Sequence, residues 1–392
     1  MNFQFKRCVI VLAIIFSHFT FAFQNEDNLE NFENNKKELL GKLNANSFTK
    51  VGGLAFDIDN TILADRRRID NPPETLDQYP DFIRDLFKLA EKGVRVAFIT
   101  GSSEHRQKTK VIDVLCKYAE EKNMGGTLEK FTLYTNTGGF KIQYDSNCKP
   151  KYNHEFNNSV PKIEKEDIDV IAKTLKELAE NKFGLSTEDQ ENWKKKYATS
   201  SFGSPNRVTW QVPWLYGETY TPVVVAPSDI QGPIQIPVIE NRNQVQIALK
   251  PFYSTSTLDI RFSIVVPALQ EALGTRANEL VFIAGGKTNI DISHKDLKKS
   301  VGILNFIESN HLSPAQVFYF GDSFYLKQLD NGAEEKGNDV TALDLNPSIH
   351  VVAVSPEFDS FLTQNEKKLA WIGKTVETTH QFIAAIKEKI IH

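Results

Sequence analysis

The sequence predicts an α/β fold built on a central parallel sheet, with a second, α+β lobe inserted into it. Three observations predict this. Short apolar runs of strand length alternate with segments of helical spacing near both ends of the chain. Three of those runs stop at acidic or hydroxyl residues, where a parallel sheet presents its carboxyl edge. Between the two alternating parts, the composition shifts to aromatic, proline-rich and β-branched segments from about residue 145.

Taken in order, residues 1–22 have the layout of a signal peptide: Lys6 and Arg7, the apolar run "CVIVLAIIF", then Thr20 and Ala22 as small residues before a cut. The run is short of the roughly 20 apolar residues of a spanning helix. Cleavage near Ala22 is expected, giving a periplasmic or secreted protein with no stable membrane association. Residues 23–47 are a polar, Asn- and Glu-rich leader, either a tail or a loose helix.

Residues 48–145 form the first part of the core. "VGGLAFDID" reads as a buried parallel strand, and "YPDFIRDLFKLAEKG" as a helix stopped by Gly93. "VRVAFIT" is the next strand, "EHRQKTKVIDVLCKYAEEK" the next helix, and "FTLYTNTGG" a third strand ending in a glycine turn. Residues 146–279 form the lobe. It has a helix around "IEKEDIDVIAKTLKELAENKFG", then "NRVTWQV", "PIQIPVIE" and "QVQIALKPF" as antiparallel strands, and a helix in "LDIRFSIVVPALQEALG" that Pro267 kinks or starts. "ELVFIAG" and "KTNIDIS" add two strands. Residues 280–392 return to the core: "HKDLKKSVGILNFIESN" is a helix with Leu297, Val301, Leu304 and Ile307 on one face, "PAQVFYFGDS" a strand ending in Asp322, "HVVAVS" the last strand, and "KTVETTHQFIAAIKEKII" a closing helix.

Composition narrows the function. Hydrophobic residues at 41% and charged residues at 24% describe a folded globular chain. A net charge of −4 gives no basis for nucleic-acid binding. Arg66–Arg68 and Lys194–Lys196 read as solvated surface, although the arginines lie close enough to the first acids to steer an anion. There is no zinc-type Cys/His cluster. After signal removal Cys116 and Cys148 remain, and the sequence leaves open whether they pair.

The chemistry lies at the strand ends. Asp57 and Asp59, Thr100, and Asp322 all fall at carboxyl ends of parallel strands. Carboxylates gathered in one pocket repel unless a cation neutralises them, and Mg²⁺, which takes oxygen ligands and substrate phosphate together, suits that task. One carboxylate can attack phosphorus while a neighbour donates and recovers a proton. A hydroxyl and an ammonium would hold the phosphoryl oxygens.

In these residues the chain resembles the haloacid dehalogenase superfamily of aspartyl-phosphate phosphatases. Its first motif, DxDxT, stands as Asp57-Ile58-Asp59-Asn60-Thr61, its second as "FITGSS" with Thr100, and its fourth as "VFYFGDS" with Asp322. The third motif is a lysine at a helix start, placed by "DISHKDLKKSVGILNFI" at Lys299 with Lys298 as the alternative. The resemblance implies a Rossmann-like core, catalysis by Asp57, Asp59, Thr100 and Lys299, and Mg²⁺ held by Asp57, Asp59 (through its carbonyl), Asp322 and a further acid. That acid is Asp339, in "GND", with Asp330 as competitor. Thr61 and Thr100 lie too close for a large first cap, whereas about 200 residues separate Thr100 from Lys299. This spacing is similar to the branch with a large cap after the second motif, the Cof-like and sugar-phosphatase members. The GD…GND arrangement also resembles IMP-specific nucleotidases, with a longer gap.

The expected function is an exported Mg²⁺-dependent phosphomonoester hydrolase acting on a small phosphorylated metabolite, a sugar phosphate or nucleotide. A phosphotransferase or mutase on the same scaffold, or a secreted effector that acts on or binds a phosphoprotein, are the alternatives. Asn136 is a candidate for the site wall, and Trp210, Trp214 and Tyr216 for the cap's substrate face, with turn and core roles as the plain readings. His294 reads as a helix-entry residue. Oligomeric state has no sequence signature here.

Overall fold

The computed structural model describes residues 30–41, 51–64, 74–102, 104–182, 207–213, 244–250, 262, 265–285, 289–328, 334–355 and 369–391. The segment 1–22, Arg66–Arg68, "PIQIPVIE", Lys194–Lys196, Trp214, Tyr216 and Asp330 lie outside them.

In chain order the elements are α1 (30–41), β1 (Gly53–Phe56), α2 (Pro80–Glu91), β2 (Arg95–Ile99), and a helix in three parts, together α3: Glu104–Gln107, a π-helical turn Lys108–Ile112, and Asp113–Glu121. Then come β3 (Phe131–Thr135), β4 (Phe140–Tyr144), β5 (Pro150–Tyr152), α4 (His154–Ser159), α5 (Lys165–Lys182), β6 (Arg207–Pro213), β7 (Gln244–Lys250), α6 (Val266–Leu273), β8 (Leu280–Gly285) and β9 (Asn289–His294). The chain closes with α7 (Lys299–Ser309), β10 (Val317–Gly321), the short strands β11 (Leu326–Gln328) and β12 (Glu334–Lys336), β13 (His350–Val354), β14 (Leu369–Gly373) and α8 (Val376–Ile391).

The main sheet runs β14-β13-β10-β1-β2-β3-β4-β5. From β14 to β3 every pair is parallel, and β4 and β5 add an antiparallel edge. This is a Rossmann-like α/β core. A parallel sheet is covered on both faces, which is why its strands read as unbroken apolar runs. Leu54, Phe56, Val96, Phe98, Phe318 and Phe320 point into the layer formed with α2, α3 and α8. Ala55, Ala97, Ile99, Val317 and Tyr319 point the other way, toward Phe32 of α1, Phe156 of α4 and Ile303 and Phe306 of α7. The strand period of two thus sorts alternate residues into two cores.

Local signals set most element ends. Pro80 starts α2, which buries Phe82, Ile83, Leu86, Phe87 and Leu89 and gives way to Gly93 at φ 96°. Pro267 sits in the first turn of α6 and so starts it rather than kinking it. The inward face of α7 differs from the expected one: Gly302, Ile303, Phe306 and Ile307 are buried, while Leu304 is exposed. Three further strands join the main sheet beyond those expected. The edge strand β14 follows "HVVAVS", and β4 and β5 carry the sheet past residue 145. The leader contains a helix, α1, whose Phe32 ring meets Trp371 edge-on with centroids 4.4 Å apart.

The second sheet runs β6-β7-β9-β8, so the strands of 280–294 sit in the lobe. α5 and α6 cover it through Ile171, Leu175, Leu269 and Leu273, which pack with Ile290 and Ile292. β6 and β7 pair in parallel, not antiparallel as the sequence suggests. A long stretch of chain, 214–243, separates them, and a parallel pair needs that length of crossover where a hairpin does not. Among the described residues no helix is long and apolar enough to cross a membrane. Cys116 on α3 and Cys148, beyond β4, form a disulfide with Cα atoms 5.7 Å apart.

Candidate active site

β1 and β10 lie side by side at the centre of the sheet, and their carboxyl ends carry the acids. The Asp57 amide donates to the Phe320 carbonyl at 2.8 Å, continuing the ladder one residue past β1. The chain then turns tightly. The Ile58 carbonyl accepts from the amides of Thr61, Ile62 and Leu63, with Asn60 at φ 61°. Asn tolerates that left-handed conformation better than most residues. At the end of β10, a Cβ on Gly321 would lie 2.6 Å from the Asp339 carboxyl carbon, so this position admits only glycine without displacing Asp339.

Asp339 is the second residue of a short 3₁₀ segment, Asn338–Asp344, and is fully buried. Its Oδ2 accepts from the backbone amides of Asp322 (3.0 Å) and Ser323 (2.8 Å), and its Oδ1 from the Tyr319 hydroxyl. The Lys299 ammonium, at the first residue of α7, bridges Asp339 Oδ1 at 2.6 Å and Asp57 Oδ1 at 2.9 Å, and is 0% exposed. Lys298, its neighbour, is exposed and caps the helix with its backbone. Asp322 accepts from the Asn60 side-chain amide at 3.3 Å and from the Ser323 hydroxyl at 3.1 Å.

These contacts leave an excess of negative charge. Burial, opposed by Lys299 and reinforced by Asp339 and Asp59, pushes Asp57 up to about 7. Burial and the charges of Asp57 and Asp339 hold Asp322 well above the usual carboxylate range. For Lys299, burial works against the charged form, but Asp339 and Asp57 outweigh it and keep the ammonium above its ordinary value. Carboxylate oxygens of Asp57, Asp322 and Asp339 lie within 4.8 Å of one another. Asp57 and Asp322, with Asp339 and one ammonium beside them, offer hard oxygen donors that suit a divalent cation such as Mg²⁺, which would relieve the repulsion that raises Asp57 and Asp322.

The other expected residues stand on further elements. Thr100 ends β2, the strand beside β1. It is buried, its hydroxyl accepts from the Ser102 amide at 3.0 Å, and its carbonyl accepts from the Thr137 amide at 3.0 Å. Asn136 follows β3 at φ 51° and donates its backbone amide to Ser102. The side-chain amide of Asn136 and the Thr61 hydroxyl are buried with no hydrogen-bond partner, as befits polar groups at a ligand site. His294 ends β9, where its Nδ1 accepts from the Asp296 amide. Asp59 makes a contact the sequence did not suggest, an ion pair with Lys110 of α3 at 2.9 Å. The only trace of Lys110 in the sequence is its adjacency to Val111 and Ile112 in the helix's apolar row.

The fold and site together define a Rossmann-like α/β protein with an acidic centre at the carboxyl ends of its middle strands. Comparison with solved structures finds similar chains. N-terminally truncated, IMP-bound Plasmodium falciparum IMP-nucleotidase is 12% identical, with 89% of this chain and 71% of that one covered, at a TM-score of 0.49. SMU.1108c from Streptococcus mutans UA159 is 15% identical, with 88% and 100% covered, at 0.47. A haloacid dehalogenase-like hydrolase from Bacteroides thetaiotaomicron is 12% identical, with 86% and 98% covered, at 0.46. No family model and no curated protein matches the sequence.

Proposed function

We propose that this protein is a phosphatase of the haloacid dehalogenase type, an exported Mg²⁺-dependent phosphomonoester hydrolase acting through an aspartyl-phosphate on a small phosphorylated metabolite. The observation that carries this reading is the Lys299 ammonium bridging Asp57 and Asp339, with the Asp322 carboxylate beside them. Asp57, at the end of the central strand, is the nucleophile. Its carboxylate forms a bond to phosphorus as the bond to the leaving oxygen breaks, and Asp59 gives that oxygen its proton. Water then attacks the aspartyl-phosphate, Asp59 takes the proton back, and inorganic phosphate leaves with Asp57 regenerated. Lys299 and the Thr100 hydroxyl hold phosphoryl oxygens, so that charge building on them meets fixed donors. Mg²⁺ bound by Asp57, Asp322 and the Asp59 carbonyl would neutralise phosphate and carboxylates together, with Asp339 fixing the ligands from behind.

Asp339 fits that supporting role because its carboxylate oxygens accept from donors that orient neighbours: Lys299, Tyr319 and the amides of Asp322 and Ser323. The lobe inserted between β5 and α7 favours small substrates over protein ones. Export rests on the layout of residues 1–22. The Cys116–Cys148 disulfide agrees with it, since such bridges persist in oxidising compartments.

The test is phosphate release from p-nitrophenyl phosphate and from a panel of sugar phosphates, nucleotides and phosphotyrosine peptides, with Mg²⁺ and with EDTA. Wild type is expected to be active only with the metal, and Asp57→Asn to fall to background. Full activity in Asp57→Asn, or no release by wild type from any ester, overturns the reading.

A further inference from the structure

We propose that Lys110 is a positioning residue for the leaving-group proton, acting through Asp59; this rests on the phosphatase reading above. The feature is built rather than incidental. Lys110 is 4% exposed on a helix whose buried face, Gln107 apart, is apolar, and its ammonium lies 2.9 Å from Asp59 Oδ1. A buried ammonium is costly unless it is paired, so the pair fixes both members.

The backbone is shaped for the contact. Residues Lys108–Ile112 form a π-helical turn inside α3, and Lys110, Val111 and Ile112 are buried in succession. Widened turns of this kind concentrate at functional sites. Here Val111 and Ile112 fill the core layer under β1 while Lys110 reaches the motif loop. Lys108, two residues earlier, is exposed and pairs with Asp113 on the surface.

Asp59 sits on a turn rather than a strand, so its backbone alone does not fix the carboxyl. Lys110 donates to Oδ1 whether the carboxyl is ionised or protonated, which leaves Oδ2 to carry the proton and sets the direction from which Asp59 meets the leaving oxygen. A proton donor misplaced by an ångström loses much of its effect. The loss depends on the leaving group. An alkoxide needs its proton as the bond to phosphorus breaks, whereas p-nitrophenolate is a weak base and leaves with little help.

The experiment compares kcat/KM for p-nitrophenyl phosphate and for an alkyl ester, glycerol phosphate, in wild type, Lys110→Met, Lys110→Gln and Lys110→Arg. Lys110→Met and Lys110→Gln are expected to lower the alkyl value about tenfold more than the aryl value, within the range general acid catalysis supplies. Lys110→Arg, which keeps a cation, should recover part of the alkyl loss. If Lys110→Met does not fold, Lys110→Gln decides by the same ratio. Equal losses on both esters, or none, would leave Lys110 a structural ion pair and overturn the inference. Wild type inactive on both of these esters and on every ester of the panel above would instead sink the phosphatase reading itself.

Discussion

Lys299 is the residue on which the charge balance of the site turns. Its ammonium meets both Asp57 and Asp339. Removing one member of a buried ion pair leaves the other charges uncompensated, at a cost of about 3–5 kcal/mol. Lys299→Met should therefore lower stability by that amount in denaturant unfolding with EDTA present, and abolish phosphate release. Lys298→Met, one position earlier and exposed, should change stability by no more than about 0.5 kcal/mol. A comparable loss in both variants would mean that the buried pairing does not carry this energy. The sequence could narrow the lysine to these two but not choose between them, because adjacent residues at a helix start differ only in the direction the backbone gives each side chain. Asp57, Asp322 and Asp339 were legible because each stands beside a local mark: an apolar run, a glycine, a "GND" turn. Lys110 was not, since a lysine in a helix reads as solvated surface until the fold shows which way it points.

At the scale of elements, the alternation of strands and helices was readable because each parallel strand is buried on both faces and each covering helix on one. What could not be read was long-range pairing. β6 and β7 look like members of a hairpin set, and β14 is a short segment whose place beside β13 depends on the whole sheet. The polar leader left a tail and a loose helix equally open for a similar reason: two inward residues, Phe32 and Leu39, suffice to dock α1 once Trp371 is in place. The disulfide is also an element-level contact, tying α3 to the chain beyond β4 across a separation of 32 residues. Closing a loop of that size removes unfolded-state entropy worth about 3–4 kcal/mol. Cys116→Ala, or reduction by dithiothreitol, should lower the thermal midpoint accordingly. An unchanged midpoint on reduction would show that the bridge does not constrain the unfolded chain.

At the scale of the whole molecule, the acidic centre should make stability depend on pH and, on the proposed reading, on metal as well. Burial raises Asp57 from an ordinary 3.8 to about 7, and Asp322 shifts the same way. Without metal, the folded protein therefore keeps protons that the unfolded chain has released. That stabilising contribution is complete below about pH 4, shrinks as pH rises, and is gone above about pH 7. In EDTA, wild type should thus lose thermal stability between pH 5 and 8 relative to Asp57→Asn, in which this group cannot titrate. Mg²⁺ should act in the opposite sense, because it competes with protons for the same oxygens. At about 100 times its dissociation constant it adds about 2.7 kcal/mol to the folded state. For a fixed Mg²⁺ concentration, the rise in midpoint should be larger at pH 8 than at pH 5, and small at both in Asp57→Asn. Calorimetry over that range checks both signs. Parallel pH curves for wild type and Asp57→Asn in EDTA would show that Asp57 is not the group whose proton the fold retains.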